Sequence, residues 1–394
     1  MAITADFNET VLYSSAVDRD RREIDVDPEL VYVVADETPW TVMLRNARKQ
    51  NTTDPDFVWY EQQLGLYYTS VGSAGYVDSS VPGTSTTIPV VDASVFLPND
   101  LCKNTQTGEV MLVAAANITA ETITVYRMFG TSGSHGAGVA GACLLFLGSA
   151  FPEGSNAPVA KQNQPTKLSN CTQIHRTSMS GTGTSDAASL RTNQSERQRE
   201  RKAKLIDHNT AMERAFLFGD GIEAAAGSAF GNTLPQRATN GAINFIQSNV
   251  FNAGGTMTES YFEEVCEGVF AVGSRTKLAV FSPRMITILN GFAAGKMKVI
   301  VGEETYGVRI KQYISAHGDL FVVESRSLQL DYAYCGFIFD MGFVTYKAMM
   351  GRDTKLKTNI EAPGFDGWAD EYLTESGLKF QNEAAHAYIY GAAA

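Results

Sequence analysis

Between Ser195 and Gly221 the chain reads SERQRERKAKLIDHNTAMERAFLFGDG, more than twenty residues of helical pattern with glycine only at the end. Leu205, Asn209, Met212 and Phe216 step by four, three and four, and Ile206, Ala215 and Leu217 widen the stripe. Glu200 with Lys204 and Glu196 with Arg199 sit one turn apart as opposite charges, and Gly219 and Gly221 supply stops. A helix of this length spans about 30 Å or more at 1.5 Å per residue. The rest of the chain must therefore provide a platform for its apolar half.

The front half of the same stretch holds five cations in eight positions, among them Arg197, Arg199, Arg201 and Lys204. Such a run suits either phosphates or a solvated helix face. Composition favours the second, because 43 acidic against 32 basic side chains give a formal net charge of -11. A protein devoted to gripping phosphate is expected to be basic. Only 19% of residues are charged and 35 are glycine, a surface suited to extensive contact with other protein.

At 394 residues with 44% hydrophobic content the chain can bury two or three cores. The five cysteines, Cys102, Cys143, Cys171, Cys266 and Cys335, lie far apart with no C-x-x-C pair. They read as reduced thiols of a protein made in a cytoplasm. No basic, then apolar leader opens the sequence and no apolar run reaches about 18 residues, so no signal peptide, membrane span or membrane partner is expected.

Residues 1–50 read as an arm ending in a short helix, with Thr38 as cap, Pro39 in the first turn, and Trp40, Met43, Leu44 and Ala47 at helical spacing. Arg45, Arg48 and Lys49 fall in its last turn, where the helix dipole favours cations; a phosphate patch is the alternative. DPDFVWYEQQLGLYY, carrying Phe57, Trp59, Tyr60, Leu64, Tyr67 and Tyr68, reads as an extended aromatic strand region. Its return partner is QPTKLSNCTQIHRTSMS, strand-like but almost wholly polar. A hairpin of this kind lacks an apolar face and must lie on something else. Between the two, TTIPVV, SVFL, EVMLVAA, TITVYRM and ACLLFL form five short strand patterns over residues 85–157, a small barrel or sandwich inserted at the hairpin tip.

After the long helix the pattern becomes α/β. Thr256 and Glu259 match a capping box, Gly273 closes that helix, and KLAVF is a strand. Ser282 and Pro283 open a second helix before the strand MKVIV. Beyond residue 305 the chain reads mostly as β.

Signals for chemistry are absent. GAGVAG, residues 136–141, spells G-x-G-x-x-G but precedes a strand, with Glu153 too early and Asp186 too late for the ribose; a mobile loop is the better reading. GFAAGKM, residues 291–297, fails as a phosphate loop in spacing, in its Met, and in following a helix. There is no G-x-S-x-G. His135, His175, His208, His317 and His386 show no metal-binding spacing, and no pair of carboxylates can be assigned to a cleft. Neither catalytic residues, nor a cofactor, nor a metal is expected.

The order of arm, long hairpin, long helix, α/β segment and returning β segment resembles the major capsid protein of tailed bacteriophages, the Hong Kong 97 fold. It is most similar to the major head protein family of podoviruses with elongated heads. The blocks that carry the resemblance are DETPW, DFVWYEQQL, TGEVMLV, NCTQIHRTSMS, ATNGAINFIQSNVFNAGGTMTESYFEEV, GVRIKQYISAHGDLFVVES and EYLTESGLKFQNEAAHAYIYG. They span nearly the whole chain, and their order is more specific than any one of them. The resemblance implies an α+β chain with residues 1–50 as the N-terminal arm, 51–84 and 158–185 as the extended loop, and 85–157 as the inserted β domain. It further implies 186–221 as the spine helix of a peripheral domain, 222–330 as an axial domain and 331–394 as the returning β segment.

The function implied is a structural one: hexamers and pentamers of a homo-oligomeric shell, icosahedral or prolate, enclosing double-stranded DNA without specific binding to it. The resemblance implies a portal protein and a cement or decoration protein as partners, and also a separate scaffold protein, because no long scaffolding segment precedes the arm. No lysine and asparagine can be assigned to a crosslink. The virion is the implied location, after synthesis in the bacterial host cytoplasm. Expected intersubunit contacts are Trp40, Phe57, Trp59, Tyr60, Tyr67, Tyr68, Arg197, Arg199, Arg201 and Lys204, and Trp59→Ala is expected to weaken assembly more than subunit solubility. The alternatives are a phage tail or decoration protein, and an α/β enzyme, which would need a concave polar pocket.

Overall fold

A computed structural model describes residues 38–62, 67–77, 81–130, 136–158, 160, 164–187, 195–225, 227, 234–292, 297–305 and 308–393. Most of the expected arm, His135 and the middle of GFAAGKM lie outside the described residues. Contacts divide the chain into two compact units, Met1–Trp59 with Ser169–Ala394, and Tyr60–Leu168.

The first unit contains two larger sheets. In one, the strands run in the order Lys49–Thr52, Val344–Met349, Gly367–Phe380, Gln173–Thr182, with Lys355–Lys357 also paired to Gly367–Phe380. In the other, of seven strands, the order is Val250–Thr256, Ala387–Ala393, Gly336–Phe339, Thr276–Phe281, Asp319–Glu324, Val308–Ile314, Met297–Thr305. Thr276–Phe281 lies parallel to Asp319–Glu324, which requires a crossover; the chain between them includes the helix Pro283–Phe292. Its start is capped as the sequence suggests, Ser282 Oγ accepting from the Met285 N–H at 3.1 Å. The preceding helix, Glu259–Phe270, is capped by Thr258, whose hydroxyl accepts from the Tyr261 N–H. The capping box expected at Thr256 is therefore displaced by two residues.

The long helix runs from Glu196 to Phe218. It ends at Gly219 for a steric reason: a Cβ there would lie 2.4 Å from the Ala215 carbonyl oxygen and 2.5 Å from that of Thr239. Its second half buries His208, Thr210, Met212, Glu213, Phe216 and Leu217. Met212, Phe216 and Leu217 join Leu378, Phe380, Phe339 and Tyr346 in one core. Trp40, on the helix Pro39–Ala47, enters the same core and stacks on Phe339 with centroids 4.1 Å apart. Thr38 flanks this helix without a side-chain cap bond. Glu213, fully buried, pins the two helices and a loop together. Its carboxylate accepts from the Thr41 N–H at 3.2 Å and from Ser325 Oγ at 2.7 Å. Burial pushes its pKa up, against the pull of those hydrogen bonds.

The second unit is a closed barrel. Its six strands run in the order Tyr68–Ser70, Cys143–Ser149, Asp100–Asn104, Val110–Asn117, Thr122–Tyr126, Ser85–Pro89, each antiparallel to its neighbours. An antiparallel bridge between Val71 and Val90 joins the first strand to the last, and closure removes the free edges. The barrel therefore begins before residue 85, and SVFL is not a strand: Ala93–Val95 is a single helical turn whose start Asp92 caps by accepting from the Ser94 N–H at 2.8 Å.

Inside the barrel Arg127 and Glu109 are both fully buried and pair at 2.6 and 2.7 Å. Arg127 also donates to the Val77 carbonyl at 2.8 Å and lies 4.8 Å from the centre of the Tyr76 ring. Gly138, within GAGVAG, bridges Tyr76, and a Cβ there would sit 1.9 Å from Tyr76 Cε1. This glycine is a close-packing position, which corrects the mobile-loop reading at that point.

Candidate assembly surfaces

Two arginines in the basic half of the long helix share one buried carboxylate of the subunit. Asp370, fully buried on the strand Gly367–Phe380, receives Arg197 through both carboxylate oxygens at 2.8 and 3.0 Å. Arg201 reaches the same carboxylate at 2.8 and 3.0 Å, and the Asn359 N–H adds a third donor at 3.1 Å. Burial alone would raise the pKa of Asp370; the bonds from Arg197, Arg201 and Asn359 reverse this and hold it at about 2. The guanidinium of Arg197 also lies 5.0 Å from the centre of the Trp368 ring. Met179, Trp368, Tyr372 and Leu205 close the apolar layer beneath.

Arg199 pairs along its own helix with Glu196 and Glu200, and Lys204 with Asp207 at 3.2 Å. Within the subunit, Arg197, Arg199, Arg201 and Lys204 thus pair along the helix and with its sheet. Arg45 and Lys49 likewise gather on Asp353, an ion-pair cluster where a phosphate patch was the alternative. Replacing Asp370 by Asn removes the charge that two arginines share. Amide hydrogen exchange over Glu196–Lys204 is then expected to accelerate at least about tenfold, with Met212–Phe218 unchanged, since an opening cost lower by about 1.4 kcal/mol is a factor of ten. Uniform exchange along the helix would contradict this clamp.

Three of the aromatic residues expected at subunit contacts are held by their own chain. Trp40 is 0% exposed, so its side chain has no surface to offer a neighbour. Phe57 and Trp59 are buried too; Trp59 packs near Phe245 and under the ammonium of Lys379. Trp59→Ala therefore acts first on the subunit itself, since truncating a buried Trp typically costs about 3–5 kcal/mol. The strand that carries them, Asp56–Glu61, pairs with Thr166–Cys171, as the hairpin expectation has it. The hairpin stops there, however. Gln173–Thr182 pairs instead with Gly367–Phe380 over ten residues, and this is the surface on which that polar segment lies.

Tyr60, Tyr67 and Tyr68 are the exception, at 65%, 65% and 59% exposure. Tyr68 lies opposite Leu145 in the barrel register, and Leu145 and Leu147 are also exposed. This forms an apolar outer face on the first barrel strands.

Sequence reasoning missed a buried histidine pair. His208 is fully buried between Thr177 and Thr374, 2.9 Å from one hydroxyl and 2.8 Å from the other. The ring of His175 meets it edge-on at 6.3 Å, and His175 Nε2 has no hydrogen-bond partner among the described residues. Burial, aided by His208, lowers His175 to about 4; burial also lowers His208, with Arg45 adding to the effect. His386 accepts from the Asp340 N–H through Nδ1 at 3.2 Å and is pushed by burial to about 4. A lone histidine on a helix or strand gives no signal of its own; only the fold brings His175 and His208 together. All five cysteines are free thiols, and among the described residues no cluster of His, Cys, Asp and Glu is arranged to hold a metal ion.

The fold has counterparts. A solved structure from Mycobacterium phage Ogopogo superposes with a TM-score of 0.51 at 10% identity, covering 96% of this chain and 99% of that one. The likeness is one of fold, the Hong Kong 97 type. The major capsid protein of Pseudomonas phage PaMx41 is 26% identical over 312 residues, 75% of this chain and 72% of that relative. The family model described as SU10 major capsid protein matches residues 3–393. A long helix clamped on a mixed sheet, a second sheet of seven strands and an inserted barrel are thus the parts of a phage major capsid protein, and the chain belongs to the SU10 major capsid protein family.

Proposed function

We propose that copies of this chain assemble as hexamers and pentamers into a closed icosahedral or prolate head enclosing double-stranded DNA. The work is structural and involves no catalysis. In this proposal the first unit supplies the peripheral and axial parts of each capsomer, and the hairpin and barrel carry contacts to neighbours. A separate scaffold, a portal and a cement protein act with it, and synthesis takes place in the host cytoplasm.

The observation that carries the contact assignment is the exposure of Tyr60, Tyr67 and Tyr68, with Tyr68 opposite the exposed Leu145 in the barrel register. Large aromatic side chains left in water gain most when a partner covers them, about 0.5–1.5 kcal/mol per aromatic pair beyond area burial. Heterologous contacts of this kind close into rings. Replacing all three tyrosines by Ser is expected to lower shell yield at least about tenfold, a change of about 1.4 kcal/mol per contact set, with the circular dichroism of the subunit unchanged. Normal yield of intact shells from that variant would remove these residues from the interface.

A further inference from the structure

Resting on the assembly reading above, the structure points to one contact between copies. We propose that the free edge of the strand Gln173–Thr182 pairs with the same edge of a second copy, antiparallel, about a two-fold axis at Ser178.

Gln173–Thr182 is the last strand of its sheet: Gly367–Phe380 lies on one side, and no strand lies on the other among the described residues. The ladder with Gly367–Phe380 runs through ten consecutive residue pairs without a register shift. Along an antiparallel ladder every second residue turns its N–H and C=O away from the partner. Among the described residues, no backbone group from Ile174 to Gly181 bonds outside that ladder.

An open row of this length is a template for another strand, and proteins blunt such edges by shortness, lysine, proline or a bulge. The other edges of the two larger sheets are blunted in these ways. Lys49–Thr52 has four residues and begins with lysine; Lys355–Lys357 has three, the first and last of them lysine. In the seven-stranded sheet the edge strands Val250–Thr256 and Met297–Thr305 both carry register shifts. Gln173–Thr182, reading QIHRTSMSGT, has neither lysine nor proline nor a shift. An edge left long and regular where the others are protected is suited to a partner strand.

The chemistry of the strand selects a second copy of itself. Ile174, Arg176, Ser178, Ser180 and Thr182 share one face and are exposed, whereas His175 and Met179 are buried on the other, toward the long helix. A two-fold axis at Ser178 sets Arg176 opposite Ser180, Ile174 opposite Thr182 and Thr177 opposite Met179, so each face continues across the contact. Like charges directly opposite each other destabilise a strand pair, and Ser or Thr pairs hydrogen-bond. Arg176 is the only Arg, Lys, Asp or Glu of the strand; it meets no like charge in this register and already pairs with Glu371 of its own subunit. A strongly charged partner strand therefore finds no counterpart here. The contact is isologous and closes as a pair, in contrast to the heterologous contacts that build a ring.

The test places a thiol on the axis in the full chain. In Ser178→Cys the two sulfur atoms belong to directly opposed residues, whose Cα atoms stand about 4.5–5.5 Å apart, inside the range of about 4.4–6.8 Å that a disulfide spans. Mild oxidation is expected to give at least about tenfold more covalent dimer than in Ser180→Cys, whose own counterpart stands four positions along the strand, about 13 Å away. Both positions are exposed, and Cys102, Cys171, Cys266 and Cys335 are buried. Ser178→Asp and Ser178→Lys, each alone, are expected to lower assembly yield at least about tenfold with subunit circular dichroism unchanged. Expressed together they are expected to recover it, because opposite charges then meet on the axis; a role inside one subunit gives no such recovery. Four results would overturn the proposal: no dimer from Ser178→Cys; as much dimer from Ser180→Cys; a Ser178→Cys crosslink to a scaffold protein in place of a second copy; or no recovery when the two charged variants are mixed. Failure of the unaltered chain to form closed shells would instead sink the shell reading, and the disulfide, read on the full chain at high concentration, would still judge this contact.

Discussion

Arg127→Met is expected to unfold or loosen the barrel while leaving the rest of the chain folded. The substitution leaves the Glu109 carboxylate fully buried with only the Met128 N–H, at 3.1 Å, among its present donors. Removing one partner of a buried pair typically costs about 3–5 kcal/mol, a large share of the roughly 5–15 kcal/mol that holds a domain together. The double variant Arg127→Met with Glu109→Leu is expected to recover most of the loss, because replacing both members of a buried pair by apolar groups is often nearly neutral. All three tryptophans, Trp40, Trp59 and Trp368, belong to the other compact unit. Tryptophan fluorescence should therefore stay unchanged while amide exchange in Val110–Asn117 and Thr122–Tyr126 accelerates. Full protection of those strands in the single variant would mean that the pair contributes nothing to the barrel.

Acidification from pH 7 to pH 4 is expected to destabilise the subunit by several kcal/mol. His175 and His386 are held neutral, each lowered to about 4 from an ordinary value of 6.5, and His208 is lowered as well. Between those values the unfolded chain binds protons that the folded chain refuses, so stability falls as pH drops through the window from 6.5 to 4. At about 1.4 kcal/mol per pH unit, His175 and His386 each account for up to about 3 kcal/mol. Glu213 acts in the opposite sense, since its raised value makes the buried carboxyl easier to keep once protonated. Asp370, held at about 2, keeps its contribution across this window and loses it only at still lower pH. Urea titrations at pH 7, 5.5 and 4 check the slope, and His175→Gln should flatten part of it. A midpoint constant from pH 7 to 4 would contradict buried neutral histidines.

Much of the architecture was legible because its signals are local. The 3.6-residue stripe of Leu205, Met212 and Phe216 declares a helix wherever it lies, and glycine at 219 marks its end. Short alternating strands announced a β insert. What stayed hidden depends on partners far away in sequence. Arg197 and Arg201 look like free charges until the fold brings Asp370 from 173 and 169 residues away. Gln173–Thr182 looks unable to fold until it meets Gly367–Phe380, a strand buried along nearly its whole length. Trp40 reads as one apolar residue on a short helical stripe, and only the fold supplies the Phe339 ring on which it stacks. Closure of the barrel rests on the three-residue strand Tyr68–Ser70 and a single bridge, too short a pattern to separate from the aromatic run that contains it.

The central claim is that identical copies of this chain build a closed shell. Electron cryomicroscopy of particles from cells that express the full chain with its scaffold tests it most directly. Closed heads of hexamers and pentamers are expected, with Tyr60, Tyr67 and Tyr68 covered by a neighbouring copy. A stable, compact monomer at high concentration, or open tubes and rings alone, would contradict it.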